Sequence, residues 1–305
     1  MLRRRAIWLL AAACRPGAAR PAASLDRLVD SPGACALLLE ADTGRLLAVA
    51  NPSGAGRLLL PPGSTLKPLV MAGLLASGKW RAPETFFCPG RLRIAGRSFD
   101  CLHPPMSAPM RVDTALAYSC NCFVAHAAER FGPGELAAEL ARAGLTSASG
   151  LVGESTGAGE VSGRVERATG PDAQRLQALG ESGVLVTAAG LAMAYRQLAR
   201  RLARPETGAV LGAVRDGMQE AVEFGTAQLA AVPGVTVAGK TGSALAENGD
   251  PVAWFAGWLP ANPPKVLVCV MLHGRSGGAD AAPVAGRILD AYRKGKIQPQ
   301  PAQRH

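Results

Sequence analysis

Apolar positions along the chain follow two periods. Near the start, Cys35 to Glu40 (C-A-L-L-L-E) is an unbroken apolar run of strand length, and Arg45 to Ala50 (R-L-L-A-V-A) is a second. Asp42-Thr43-Gly44 lies between them as a tight-turn sequence, so the pair predicts a β-hairpin. Towards the other end, Val235 to Ala238, Ala253 to Leu259 and Val266 to Leu272 read as three more strands, the last two parted by the loop Pro260 to Lys265. The middle has helical character. Leu69 to Leu75 follows Pro68, a residue tolerated in a first helical turn. Val112 to Phe131 is Ala-rich and predicts helix up to the break at Gly132-Pro133-Gly134. Glu135 to Ala143 and Leu185 to Leu202 predict two further helices, Ser147 to Gly170 a loop, and Ala282 to Tyr292 a closing helix. Strands segregated from a helical block, with hairpin-length links, imply an α+β fold. The expected architecture is a five-stranded antiparallel sheet flanked by helices, with a mainly helical subdomain.

Composition is consistent with this. Of 305 residues, 48% are hydrophobic and 18% charged, which supports a sizeable core and excludes wholesale disorder. Aromatics are only 5%, so that core must be built mainly from Ala, Leu and Val. The formal charge of +10 is mostly Arg, scattered along the chain. No basic run is interleaved with aromatics, so no nucleic-acid partner is expected. The densest cluster, Arg3-Arg4-Arg5, precedes the apolar run Ala6 to Cys14 and then small residues and Pro. Residues 1–30 therefore read as an export signal or short membrane-proximal leader. The run is about half of what a spanning helix needs. Ala11-Ala12-Ala13-Cys14 has some likeness to a lipoprotein cleavage box, with Ala11 in place of the usual Leu, and a disordered leader is the other reading. The expected location is the periplasm or the outer face of the cytoplasmic membrane, with any membrane association only through this leader. The main domain is expected over 31–295, with a polar tail over 296–305. Seven Cys and four His include no C-x-x-C and no H-E-x-x-H, so no metal ligand set and no cofactor is expected.

Three short motifs carry chemistry. Ser64-Thr65-Leu66-Lys67 places a hydroxyl and an amine three residues apart, on one face of a helical turn. A Ser hydroxyl is a weak nucleophile until an adjacent base takes its proton, and a buried Lys with a lowered pKa can serve. Ser119-Cys120-Asn121 offers a hydroxyl able to relay a proton and an amide able to hold a substrate backbone. Lys240-Thr241-Gly242 follows the strand Val235 to Ala238 and would set a cation and a hydroxyl on a rim, with Gly242 allowing close approach. The backbone N–H of Ser243 could donate to an oxyanion together with that of Ser64. Each triplet alone is weak, and a helix start, a turn and a strand end are their structural alternatives. Only six Lys exist in the chain, and two of them fall in these motifs.

Together and in this order, S-x-x-K, a Ser/Asn triplet and K-T-G are the signature of penicillin-binding proteins and related β-lactamases. The resemblance is wider than the triplets. Asp42 to Ala48 (D-T-G-R-L-L-A), Pro62 to Pro68 (P-G-S-T-L-K-P), Leu185 to Tyr195, Gly217-Met218, Gly225-Thr226-Ala227, Ala238 to Ala244 (A-G-K-T-G-S-A) and Ala253 to Trp258 (A-W-F-A-G-W) all resemble segments of the penicillin-binding transpeptidase domain. The likeness covers about Ala34 to Arg293. One departure is Ser243, where the family usually has Thr after K-T-G. Another is the short stretch ahead of the domain, which suggests a stand-alone transpeptidase-type domain and would leave glycan polymerisation to a separate protein.

The resemblance implies a β-lactamase/transpeptidase-like fold and a serine acyl-transferase acting on D-Ala-D-Ala peptidoglycan stem peptides, as D,D-transpeptidase or D,D-carboxypeptidase. It implies an acyl-enzyme on Ser64, with Lys67 and Ser119 catalytic, and Asn121, Lys240, Thr241, Gly242 and Ser243 binding substrate. Penicillin would label it covalently. Two rivals are a β-lactamase and a non-catalytic β-lactam or peptidoglycan receptor. Glu154, Glu160, Glu166 and Glu181 lie between the second and third motifs, and none begins the E-x-x-L-N pattern that positions water in one β-lactamase class. Cys88 and Cys101 flank a short stretch that could form a hairpin, and in an oxidising compartment they are expected to pair as a disulfide. Some family members have a Cys pair in this region, and two independent buried thiols are the alternative.

Overall fold

The computed structural model describes residues 23–153 and 159–297. Ten strands occur among them: β1 (Ala23–Ser24), β2 (Cys35–Glu40), β3 (Leu46–Ala50), β4 (Arg93–Ile94), β5 (Arg97–Ser98), β6 (Arg164–Val165), β7 (Val184–Leu185), β8 (Ala238–Leu245), β9 (Pro251–Leu259) and β10 (Val266–His273). Five of them, in the order β3-β2-β10-β9-β8, make the expected antiparallel sheet. The two-residue β1 adds a parallel pairing at the β3 edge. Two small antiparallel pairs stand apart from the sheet, the hairpin β4–β5 and the pair β6–β7, whose strands are joined through the helix Pro171–Leu179.

The sheet separates two cores, which explains why its central strands read as solid apolar runs. Alternate side chains of a strand point to opposite faces. Leu37 and Leu39 of β2, Trp254 and Trp258 of β9, and Leu267 and Met271 of β10 face the helical block. Leu38, Phe255, Val268 and Val270 face the other side, where the helix Ala282–Arg293 covers them with Val284, Ile288 and Leu289. Residues 23–30, assigned from sequence to the leader, already belong to this body. Leu25 and Val29 are buried in the second core. The rest of the expected leader, and the tail from 298 on, lie outside the described residues.

The helical block consists of Lys67–Ala76, Val112–Ala117, Asn121–Ala128, Glu135–Arg142, Pro171–Leu179, Ala188–Ala203 and Pro205–Glu223. Among the described residues no helix is long and apolar enough to cross a membrane. Two expectations need correction. The helix over Val112 to Phe131 breaks at Tyr118-Ser119-Cys120. The third-motif strand starts where the sequence ended it, running from Ala238 through Lys240-Thr241-Gly242 to Leu245, while Val235 makes only an isolated bridge to Val232. An edge strand tolerates the polar and Gly residues that obscured it.

Candidate active site

The Ser64 turn is built to be held still. Gly63 has φ +53°, and a Cβ there would lie 2.5 Å from the Ser243 carbonyl oxygen, so only glycine fits. Gly63–Leu66 forms a 3₁₀ turn that runs directly into the helix Lys67–Ala76. In a 3₁₀ turn residues three apart eclipse, which puts Ser64 and Lys67 on one side. Around this turn, Trp254 Nε1 donates to the Pro61 carbonyl at 2.9 Å, Thr65 Oγ1 to the Pro62 carbonyl at 2.7 Å, and Tyr195 Oη to the Thr65 carbonyl at 2.6 Å. The Gly63 N–H donates to Gly180 O at 3.0 Å. Burial pushes the Tyr195 phenol well above its ordinary range, so it remains a donor.

The helix break delivers the second motif. Ser119 has φ +57°, an uncommon conformation for a residue with a Cβ. Cys120 is extended, and its Sγ accepts from the Phe123 N–H to cap the helix Asn121–Ala128. This turns Ser119 and Asn121 onto Lys67. Lys67 Nζ donates to Ser119 O at 2.6 Å, to Ser119 Oγ at 3.2 Å and to Asn121 Oδ1 at 2.5 Å. An ammonium has three protons, and each has a partner here. Lys67 is fully buried, and burial pushes its pKa down to about 8, with the Cys120 thiol pulling partly the other way.

The third motif lies on β8, the sheet edge opposite β1. Gly242 packs against the Ser64 turn, where an added Cβ would come within 2.5 Å of the Pro62 carbonyl and 2.9 Å of Thr65 Cγ2. Thr241 Oγ1 lies 3.0 Å from Thr226 Oγ1, and the exposed Ser243 accepts the Gly277 N–H on its hydroxyl at 3.0 Å. Lys240 departs from expectation. It is fully buried, donates to the Thr241 carbonyl at 3.2 Å, and does not stand on a rim. Burial, and next the neighbouring charge of Lys67, hold its pKa well below the ordinary lysine value.

Ser64, Ser119, Asn121, Thr241 and Ser243 share one cleft of about 340 Å³, into which Glu181 also reaches. Burial raises the Glu181 pKa, against the pull of Arg97 and Lys67. Thr226 and Ser276 also line the cleft. Sequence reasoning assigned no role to Glu181, Thr226, Ser276 or Tyr195. Thr226 and Tyr195 sat within segments of family resemblance, which is the one signal that pointed to them. The expected Cys88–Cys101 pair is brought together but is not bonded in this structure. The two Sγ atoms are 3.7 Å apart, and Cys120 Sγ lies within 3.6 Å of both, so three thiols compete at one place.

An α+β domain with these three motifs around one cleft is of the transpeptidase-like class. The family model described as penicillin binding protein transpeptidase domain matches residues 34–290, and the chain belongs to this family. It is 28% identical over 227 residues to the peptidoglycan D,D-transpeptidase PbpA of Mycobacterium tuberculosis, covering 67% of this chain and 39% of that protein. It is 26% identical over 311 residues to the penicillin-binding protein PbpB of Mycolicibacterium smegmatis, covering 81% of this chain and 47% of that protein. The chain thus spans less than half the length of these relatives. In fold it is similar to Pseudomonas aeruginosa PBP2, with a TM-score of 0.76 at 20% identity over 92% of this chain and 75% of that one. It is equally similar to a peptidoglycan glycosyltransferase structure from Burkholderia ambifaria, with a TM-score of 0.76 at 21% identity over 90% and 93% of the two chains.

Proposed function

We propose that this protein is a serine acyl-transferase that cleaves the terminal D-Ala-D-Ala bond of peptidoglycan stem peptides through an acyl-enzyme on Ser64. The observation that carries the reading is the convergence of Ser64, Ser119, Asn121 and Thr241 on one cleft, above a buried Lys67. Lys67 Nζ, in the neutral amine form that its lowered pKa makes accessible, takes the Ser64 hydroxyl proton as Oγ attacks the penultimate D-Ala carbonyl. The backbone N–H groups of Ser64 and Ser243 hold the oxyanion. Collapse breaks the C–N bond, and Ser119, hydrogen-bonded to Lys67, passes the proton to the departing D-Ala amine. Asn121 holds the substrate backbone. Thr241 meets the terminal carboxylate, with the Lys240 charge behind it. An amine of a second stem peptide or a water then releases the acyl group. Penicillin carries a comparable carboxylate and a strained amide, so it acylates the same oxygen. The reaction takes place outside the cytoplasmic membrane, on peptidoglycan.

Glu181 favours a second, hydrolytic reading. It is a half-buried carboxylate in the same cleft as Ser64, although it belongs to no E-x-x-L-N pattern. If it positions a deacylating water, the protein is a carboxypeptidase or β-lactamase. One experiment separates these. The protein is labelled with fluorescent penicillin, the adduct is mapped, and turnover of a D-Ala-D-Ala stem peptide is followed with and without an acceptor amine. Label on Ser64 with amine-dependent product formation is expected. Rapid label loss that slows in Glu181→Gln would move the reading to hydrolysis. Label without any turnover would leave a receptor.

A further inference from the structure

We propose that Cys88, Cys101, Cys120 and His103 bind a tetrahedral zinc-type divalent cation that holds the second-motif turn against Lys67. The three sulfur atoms form a nearly equilateral triangle. Cys88 and Cys120 are 3.5 Å apart, Cys101 and Cys120 3.6 Å, and Cys88 and Cys101 3.7 Å. His103 Nε2 is 3.6 Å from Cys88 Sγ, and the four ligand atoms all lie within 4.8 Å of one another. Zinc–thiolate bonds of about 2.3 Å in a tetrahedron put the sulfurs about 3.8 Å apart. The observed triangle therefore needs little adjustment to take an ion. A disulfide would need one pair to close to about 2.05 Å, leaving the third thiol unpaired.

The surroundings of the four groups suit metal binding. His103 Nδ1 lies 2.8 Å from the Pro104 carbonyl. Assigned as its donor, Nδ1–H fixes the tautomer that leaves the Nε2 lone pair facing the sulfurs. The Gly90 N–H donates to Cys88 Sγ at 3.3 Å, across the turn Cys88-Pro89-Gly90. The Phe123 N–H donates to Cys120 Sγ at 3.4 Å. Both hydrogen bonds stabilise thiolates. A fourth thiol, Cys122, touches Cys101 at 3.5 Å but donates to the Arg91 carbonyl and falls outside the mutually close set. Binding would displace three thiol protons to solvent, while neutral His103 binds without proton loss. The ligands are Cys-x12-Cys-x-His-x16-Cys in the chain, a spacing with no familiar pattern.

The consequence lies one residue away on either side of Cys120. Among the described residues, Ser119, at φ +57°, and Asn121 provide the hydrogen-bond acceptors of Lys67 Nζ. A metal–thiolate bond at Cys120 would hold that uncommon turn, and Cys88 and Cys101 would tie it to the 88–103 segment. Asn121 Nδ2 already reaches the same segment at the Phe99 carbonyl, 2.9 Å away. The metal site stands on the geometry of the three cysteines and His103 alone. Its positioning effect rests on the proposed acyl transfer.

The test uses the full chain, purified without chelator, with one portion kept under reducing conditions for metal analysis and another alkylated at lysis without reductant for disulfide mapping. Elemental analysis should find one zinc per chain. Cobalt(II) added to metal-free protein should give a thiolate-to-cobalt charge-transfer band and the intense visible bands of a tetrahedral site. Both signals should fall sharply in Cys120→Ser and in His103→Ala. If those variants do not fold, the wild-type cobalt spectrum alone decides. Wild-type protein with no zinc and no charge-transfer band would overturn the site, as would a Cys88–Cys101 disulfide in freshly purified protein. Removing the metal should slow penicillin acylation ten- to a hundredfold while far-ultraviolet dichroism is retained, and zinc should restore it. Bound metal whose removal leaves acylation unchanged would overturn the positioning effect. Metal-loaded protein that is never acylated would instead refute the acyl-transfer reading and leave the metal site standing.

Discussion

The turn that carries Ser64 takes its hydrogen bonds from the sheet, from the helix Ala188–Ala203, from Gly180 and from its own Thr65. The turn that carries Ser119 is held differently. Its backbone bonds are mostly local, Ser119 N–H to Leu116 O and Cys120 N–H to Ala115 O, and its remaining anchors are side chains: Lys67, Asn121 and the cysteines. Both turns meet at Lys67. The first is a rigid mount for a nucleophile. The second keeps an uncommon backbone conformation because distant groups over-determine it. The difference implies that a lesion at Lys67 should spread into the second turn and leave the first in place.

The largest expected effect tests whether the rigid mount carries the reactive oxygen. Ser64→Ala should abolish penicillin labelling with the fold intact, as judged by dichroism and thermal denaturation. Persistent label on the variant would show that another group is acylated.

Lys67→Ala is the sharper test of the contrast. Loss of the base should slow acylation by about 10²- to 10⁴-fold. It also strands Ser119 O and Asn121 Oδ1 without their donor. Amide hydrogen exchange should then accelerate around residues 116–123 and stay unchanged around 61–66. Equal acceleration in both segments would mean that the turns are one cooperative unit and that the contrast is false.

How the two turns are held also decides how much the sequence revealed. The Ser64 turn is written in adjacent residues, Pro62-Gly63-Ser64-Thr65-Leu66-Lys67-Pro68, so its position and chemistry were legible. The strands β2, β9 and β10 were legible for the same reason, as solid apolar runs buried on both faces, and β3 and the closing helix were legible from their apolar spacing. The Ser119 turn was legible only as a triplet. Its helix break depends on a positive φ at Ser119, and Ala-rich flanks conceal that. The helix Pro205–Glu223 escaped notice because Gly208, Gly212 and Gly217 depress helical character. Gly217 is present for packing, since a Cβ would lie 2.5 Å from the Asp113 carbonyl. Of the thiol cluster only the nearness of Cys88 and Cys101 was legible; the place of Cys120 and His103 beside them, and of Glu181 in the cleft, was not. Cys88, Cys101 and Cys120 are brought together by tertiary contacts across more than thirty residues, and no local spacing encodes that.

A smaller effect is expected at Tyr195, the remote support of the nucleophile turn. Tyr195→Phe removes one buried donor and leaves the Thr65 carbonyl without it. That should cost about 1–3 kcal/mol of unfolding free energy in urea. Acylation should slow only modestly, because three other hydrogen bonds still hold the turn. A loss of acylation as large as that of Lys67→Ala would show that the mount depends on a single bond.

The smallest expected effect lies at Thr241, beside both turns. A stem peptide and a penicillin each end in a carboxylate, and Lys240 is too deeply buried to touch it. The hydroxyls of Thr241 and Thr226, 3.0 Å apart, are the groups that line the cleft there. Val matches Thr in shape and suits a strand, so Thr241→Val should remove the hydrogen bond and little else. A hydrogen bond to a charged group contributes at least about 1.5 kcal/mol, or about tenfold in the second-order acylation rate. The comparison is made with one ligand as free acid and as ester, on both proteins. The acid should lose about tenfold and the ester much less, since an ester offers no charge to reward the hydroxyl. Equal loss for the two ligands would mean that Thr241 shapes β8 beside Gly242 and the Ser64 turn, and that the carboxylate is read elsewhere.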